Sequence, residues 1–251
     1  MAHAPILPES RIEPMERMKA IDRMECMHAA EEMRVLSVNV GTPRMAPYGN
    51  ATVTTSIWKS PVTGRVAVRG HNLEGDRQAD LTVHGGRNKA VYLYPAEHYE
   101  YWANELAEEL PFGAFGENLT TLGLLEERVR IGDRFRIGSS VLEVTQPRMP
   151  CFKLGIRFGR PDMVKRFWLA GRPGIYFSIA EEGELGAGDG IEQVGEGPEA
   201  ITVAEVVRLF RGDESDPEKF KSALRSPLSG SWKQEIEDRR RGLAAAAQAK
   251  P

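Results

Sequence analysis

Cysteine is almost missing from this chain: Cys26 and Cys151 are the only two among 251 residues. Two thiols cannot build a disulfide framework, and they fall short of the four protein ligands that an iron–sulfur cluster usually takes. The same scarcity fits a reducing, cytoplasmic setting. No apolar run approaches the ~20 residues needed to cross a bilayer, and Met1 to Pro14 lack the apolar stretch of a secretory signal. No G-x-G-x-x-G fingerprint follows a strand pattern, so nothing points to a dinucleotide fold. Lys and Arg number 33 against 36 Asp and Glu, a formal net charge of -3, which gives no overall pull towards nucleic acid. If such a chain does redox chemistry, its electrons must come from another protein.

What is present is ordinary in amount: 41% hydrophobic and 27% charged residues, as in a globular chain with one large domain, or a medium one with an appendix. Its arrangement is uneven. Residues 1–32 scatter Met1, Met15, Met18, Met24 and Met27 among charges and prolines. They read as a mobile N-terminal extension, with Met33 as the natural start. From 33 to 195 short alternating runs are broken by Gly, Pro and Asn, the pattern of a β-barrel or sandwich. Expected strands include Leu36–Val40, Val53–Trp58, Val66–Val68, Leu81–Val83, Val91–Tyr94 and Ile175–Ile179. A hairpin is expected about Gly132-Asp133, and Gly183–Gly190 reads as a loop. Helices are expected after Pro95, with Tyr99, Trp102 and Leu106 on one face, and over Pro161–Ala170. Between 199 and 243 the period turns helical, with Thr202, Asp216 and Ser229 or Ser231 as caps of three short helices. Residues 244–251 read as a frayed tail.

Three stretches could carry chemistry. In Gln146–Leu154 (QPRMPCFKL) a thiol follows a proline, with Arg148 and Lys153 close by. Pro147 and Pro150 favour a stiff, non-helical arm. Neighbouring cations stabilise a thiolate, which is both nucleophile and metal ligand. A small apolar residue in the core is an equally good reading of a lone cysteine. In Gly75–Lys89, strand alternation turns Asp80, Thr82 and His84 away from the core. Gly85 and Gly86 there allow close backbone approach, and Arg87 and Lys89 add positive charge suited to an anion. A glycine turn with solvated charges explains that stretch as well. Asp76, Asp80 and His84 lack a sharp metal spacing. In Gly113–Thr120, Asn118 sits in a tight turn and offers both donor and acceptor.

Taken together these stretches resemble the MOSC domain, and within it the branch named for resistance to 6-N-hydroxylaminopurine. The carrying segments are GDRQADLTVHGG (75–86), FGENLTT (115–121), IGDRF (131–135) and QPRMPCFKL (146–154), with Leu228-Ser229-Gly230-Ser231-Trp232 resembling the three-α domain that follows. The resemblance implies a mainly β fold: a MOSC-type β-barrel with a few peripheral helices over 33–195, plus a small C-terminal three-helix domain over 199–243. It implies a molybdenum cofactor of molybdopterin form, with Cys151 as the metal's thiolate ligand. Gly85, Gly86, Arg87, Lys89, Asn118, Arg148 and Lys153 become candidates for cofactor contact. Cys151 and His84 become the catalytic pair, His84 as proton donor near its reference pKa of ~6.5. The implied reaction is reduction of an N-hydroxylated compound to its amine, with an external flavin or iron–sulfur reductase as electron donor. A homodimer, and neither nucleic acid nor membrane as partner, complete the expectation. Two other readings stay open: a carrier that holds the cofactor or relays its sulfur without turnover, and a metal-free cysteine hydrolase built on Cys151 and His84.

Overall fold

The chain divides into Met1–Glu32 and Met33–Pro251. The computed structural model describes residues 33–80 and 85–248. The expected N-terminal extension, the strand at Leu81–Val83 and His84 therefore lie outside the described residues.

A twisted eight-stranded sheet forms the frame. In spatial order it runs β13 (Ile191–Gly195), β9 (Arg134–Ile137), β10 (Ser140–Pro147), β11 (Ile175–Glu181), β7 (Val91–Pro95), β8 (Leu119–Leu122), β1 (Arg34–Val40) and β4 (Ser60–Pro61). All neighbours are antiparallel except β7 and β8. A three-stranded sheet of β12 (Gly183–Leu185), β5 (Val66–Arg69) and β6 (Asn72–Leu73), and a hairpin of β2 (Arg44–Tyr48) and β3 (Ala51–Thr55), complete the β structure of the described residues.

The expected closed barrel is not seen among the described residues. The large sheet has two ends, and one isolated bridge, Arg34 with Gly190, joins the start of β1 to the segment before β13. The hairpin turn also falls elsewhere. Residues 138–139 link β9 to β10, while Val129–Ile131 pair with the segment at Ile201–Val203. Alternation marks such a run as a strand but carries no information on its partner. The expected 183–190 loop contains β12, and the strand expected at Val53–Trp58 leaves its ladder after Thr55, so that residues 56–59 turn towards the site.

Two apolar clusters sit behind the sheet. One runs from Val35, Leu93, Leu142 and Phe177 straight into Val206, Phe220 and Ile236. These last belong to α4 (Val203–Arg211), α5 (Pro217–Arg225) and α6 (Gly230–Gln248). The three expected helices thus share the sheet's core and do not enclose a core of their own. Local signals start them well: Thr202 and Glu205 form a reciprocal capping box, and Asp216 accepts from the Glu218 amide ahead of Pro217.

The second cluster is aromatic. It joins Tyr94, Phe115 and Phe167 to Trp102, whose indole donates to the Tyr94 hydroxyl at 2.7 Å. Its helices are α1 (Glu97–Leu106), α2 (Phe152–Phe158) and α3 (Met163–Ala170). As expected, Tyr99 and Trp102 form the inward face of α1, and Gly171 stops α3 in a left-handed conformation.

Candidate functional site

The site is built where β10 gives way to α2. The β10–β11 ladder slips between Val144 and Gln146, and such a bulge re-aims the side chains beyond it. Gln146 and Pro147 then pair with Tyr176 and Ile175. Residues 148–151 follow no regular pattern, and Cys151 stands in extended conformation as the residue before α2. The non-helical arm expected over the whole motif thus ends at the cysteine. Leu154 anchors the new helix in the aromatic cluster, and Gly155 packs so closely on the Arg160 carbonyl that a Cβ would lie 3.0 Å from it. Cys151 itself is only partly buried. This excludes the core-residue reading of its thiol.

Below the sulfur lies an open cleft whose walls include Lys59, Asp76, Lys89, Arg148, Cys151 and Lys153. Four of these are cations, and they are held differently. Lys59 is neutralised: its ammonium reaches both oxygens of Asp76, the longer contact 2.6 Å. Burial pushes the Lys59 ammonium below the ordinary lysine range, and the Asp76 charge opposes this. Asp76 also accepts from the Gly41 amide at 2.8 Å and from the Asn118 side chain at 3.0 Å. Arg148 is 5% exposed; it donates to the Phe115 carbonyl and lies 4.6 Å over the Tyr92 ring. Lys89 is half-buried at the mouth, where desolvation lowers its ammonium and the Cys151 sulfur partly restores it.

Lys153 differs from the rest. It is 8% exposed, it lines the cleft, and no hydrogen bond or ion pair of its ammonium is found among the described residues. Its stem is packed away while the Nζ keeps solvent contact, which leaves the ammonium open to a ligand's negative charge. The Ser56 hydroxyl, also in the cleft wall, is buried and unpaired.

Beneath these groups the Gly113–Glu117 loop is clasped. The Glu117 carboxylate is fully buried and accepts from the Tyr99 hydroxyl, the Gly113 amide (2.8 Å), the Phe115 amide (3.1 Å) and the Thr120 hydroxyl (2.9 Å). Burial pushes its carboxyl up against those bonds. Gly113 has φ +85°, and a Cβ there would stand 2.8 Å from the Lys59 carbonyl.

The cleft therefore gathers Cys151, Lys89, Asn118, Arg148 and Lys153 from the sequence-derived set. Gly86 and Arg87 are exposed, and neither they nor Gly85 appear in the cleft walls. Asn118 is 4% exposed and its amide is committed to protein partners: it accepts from the Tyr92 amide at 3.1 Å and donates to Asp76. His84 and Cys26 lie outside the described residues. Sequence reasoning missed Lys59, Ser56 and Tyr176. Lys59 and Ser56 sit in a segment with no motif, and Tyr176 reads as one more aromatic in a strand. Among the described residues no group of three or more His, Cys, Asp or Glu could hold a metal ion. Nor is any described helix long and apolar enough to cross a membrane.

The family model of the MOSC domain matches residues 80–192, and MOSC domains are associated with molybdenum-cofactor binding. Over 204 residues the chain is 42% identical to the uncharacterized protein YflK of Bacillus subtilis strain 168, covering 81% of this chain and 92% of that one. The crystal structure of YiiM from Geobacillus stearothermophilus superposes with a TM-score of 0.68 at 32% identity, covering 83% of this chain and 99% of that one. A protein of Gibberella moniliformis named a reductase is 35% identical over 181 residues, which is 70% of this chain but 32% of that protein. The chain belongs to the MOSC-domain family, in its YiiM-like branch.

Proposed function

We propose that this protein binds a molybdenum cofactor of molybdopterin form and reduces N-hydroxylated compounds, such as 6-N-hydroxylaminopurine, to their amines. The observation that carries the reading is Lys153: its stem is buried and its ammonium, with no protein partner among the described residues, shares a cleft wall with a partly exposed thiol. Those two groups fit the two ends of such a cofactor. A soft thiolate suits a heavy metal bound to sulfur, and an anionic phosphate supplies the charge that Lys153 lacks. Arg148 and Lys89 add to the positive field, and the orphaned Ser56 hydroxyl offers one more hydrogen bond. With no cluster of three protein ligands among the described residues, Cys151 would be one protein ligand to a metal that brings its others with it.

When bound, the cofactor supplies the two-electron chemistry that takes the oxygen from an N–OH group. The chain's own residues do the rest. Cys151 fixes the reacting centre at the cleft mouth, and the cations orient it. Burial pushes the Tyr176 phenol up, so it stays protonated and can donate a hydrogen bond beside the sulfur. His84 remains the proposed proton donor. The overall balance is N–OH plus two electrons and two protons, giving N–H and water. The electrons would come from a separate flavin or iron–sulfur reductase. A protein named a reductase that carries a region like this chain in about a third of its length supports such a coupling. A cytoplasmic homodimer remains part of the proposal.

The test is reductase-dependent turnover. Protein made in a cofactor-competent host, mixed with a flavin reductase and NADH, is expected to convert 6-N-hydroxylaminopurine to adenine, and Cys151→Ser to show none. Bound pterin with no turnover under any reductase would instead support the carrier reading.

A further inference from the structure

A second cleft opens on the other side of the cysteine. It shares Lys89, Met149, Cys151 and Tyr176 with the first, so the sulfur stands at the seam between the two. Its far wall belongs to the first turns of α6: Ser231, Trp232 and Glu235. Its floor includes Gln146, delivered by the β10 bulge.

Beyond the shared Lys89, the chemistry of this cleft differs from the first. The cationic cleft suits an anion. The α6 cleft presents acceptors: the Glu235 carboxylate, for which no ion pair occurs among the described residues, and the Gln146 side-chain oxygen. Gln146 is 2% exposed, and that oxygen is buried without a hydrogen-bond partner. A buried acceptor left unmade costs about 1–3 kcal/mol, a cost that a ligand's N–H removes. Trp232, 4% exposed, adds a narrow apolar edge that is already braced. Its ring packs 5.2 Å from Phe210, which packs 5.2 Å from Trp168. A ring fixed before binding loses little freedom when a planar ligand stacks on it.

We propose that the cleft between the Cys151 arm and α6 is the subsite for the organic part of the substrate, a planar amino-heteroaromatic whose N–H groups meet Gln146 and Glu235 and whose ring lies against Trp232. The proposal rests on the reductive reading above and gives it direction: the cofactor enters from one cleft, the base from the other, and the N–OH meets the metal at the seam. It also gives the C-terminal helices a task beyond packing, because α6 supplies one wall of this cleft through Ser231, Trp232 and Glu235.

The test is calorimetric titration of adenine, the deoxygenated product of hydroxylaminopurine, into the full-length protein as purified with its cofactor. Molybdenum is assayed on the same samples. Glu235→Lys, at an exposed position, and Gln146→Met, a swap of similar volume, are each expected to weaken adenine binding about tenfold, the value of one well-placed hydrogen bond, with molybdenum content unchanged. Should Gln146→Met fold poorly, Glu235→Lys alone decides. Adenine binding that ignores Glu235→Lys, or no adenine binding to metal-loaded wild type, overturns the subsite while leaving the cofactor reading intact. A wild type without molybdenum overturns the cofactor reading, and the adenine titration still reports on the subsite.

Discussion

Lys153 and Lys59 lie in one cleft and carry the same charge, yet opposite consequences follow from removing them. The Lys59 ammonium is the counter-charge of Asp76, whose side chain is 1% exposed. Lys59→Met would strand a buried carboxylate and is expected to cost about 3–5 kcal/mol in urea unfolding; a loss under ~1 kcal/mol would show that Asp76 is satisfied by its amide donors alone. Lys153 has no such partner, so Lys153→Met is expected to leave the cofactor-free protein as stable or more stable, while pterin retention falls. Lower stability together with full pterin content would contradict its role as a ligand-facing charge. Glu117 gives a pH signature. Burial raises its folded carboxyl above the unfolded value, so the folded state binds the extra proton and stability falls as pH rises from ~4.5 through the raised value. The stability difference between wild type and Glu117→Gln should therefore be most favourable to wild type at low pH and shrink as pH rises. A difference that grows with pH would reverse this assignment.

At the scale of elements, the turn from β10 to α2 decides where the thiol goes, and the loop below it decides how firmly it is held. Gly113→Ala would force a Cβ against the Lys59 carbonyl from a left-handed backbone. The expected result is a loss of at least ~1–2 kcal/mol and a weakened Lys59–Asp76 pair, read by thermal unfolding. Thr202→Ala, at the start of α4, should cost about 1 kcal/mol by opening the capping box. Elements with local signals were the legible ones. Caps at Thr202 and Asp216, the Gly171 stop and the inward stripe of α1 all read directly from residue type and spacing. What could not be read was pairing. Nothing in Val129–Ile131 announces that its partner is Ile201–Val203, because a strand's alternation fixes its faces and leaves its neighbour open. The thiol's setting was half legible: Pro147 and Pro150 indicated an arm, but the helix that begins at Phe152 depends on Leu154 finding the aromatic cluster.

Over the whole molecule, the helices after residue 200 extend the core of the sheet, as three helices too small for much stability alone must do against a larger neighbour. Val206, Phe220 and Ile236 have ordinary helical spacing, and only the fold shows that they share one core cluster with Leu93 and Phe177. The same closeness brings Trp232 and Glu235 to the cysteine, a link no local pattern could carry across some eighty residues of chain. Sequence motifs marked the sulfur and three of the cations around it, Lys89, Arg148 and Lys153, and the packing added Lys59, Ser56 and the α6 wall. The measurement that tests this account most directly is molybdenum per chain in protein from a cofactor-competent host, wild type beside Cys151→Ser. The account predicts about one metal per wild-type chain and near-total loss in the variant, with thermal unfolding of the two cofactor-free proteins unchanged. A wild type free of molybdenum, or a Cys151→Ser protein that keeps its full complement, would contradict it.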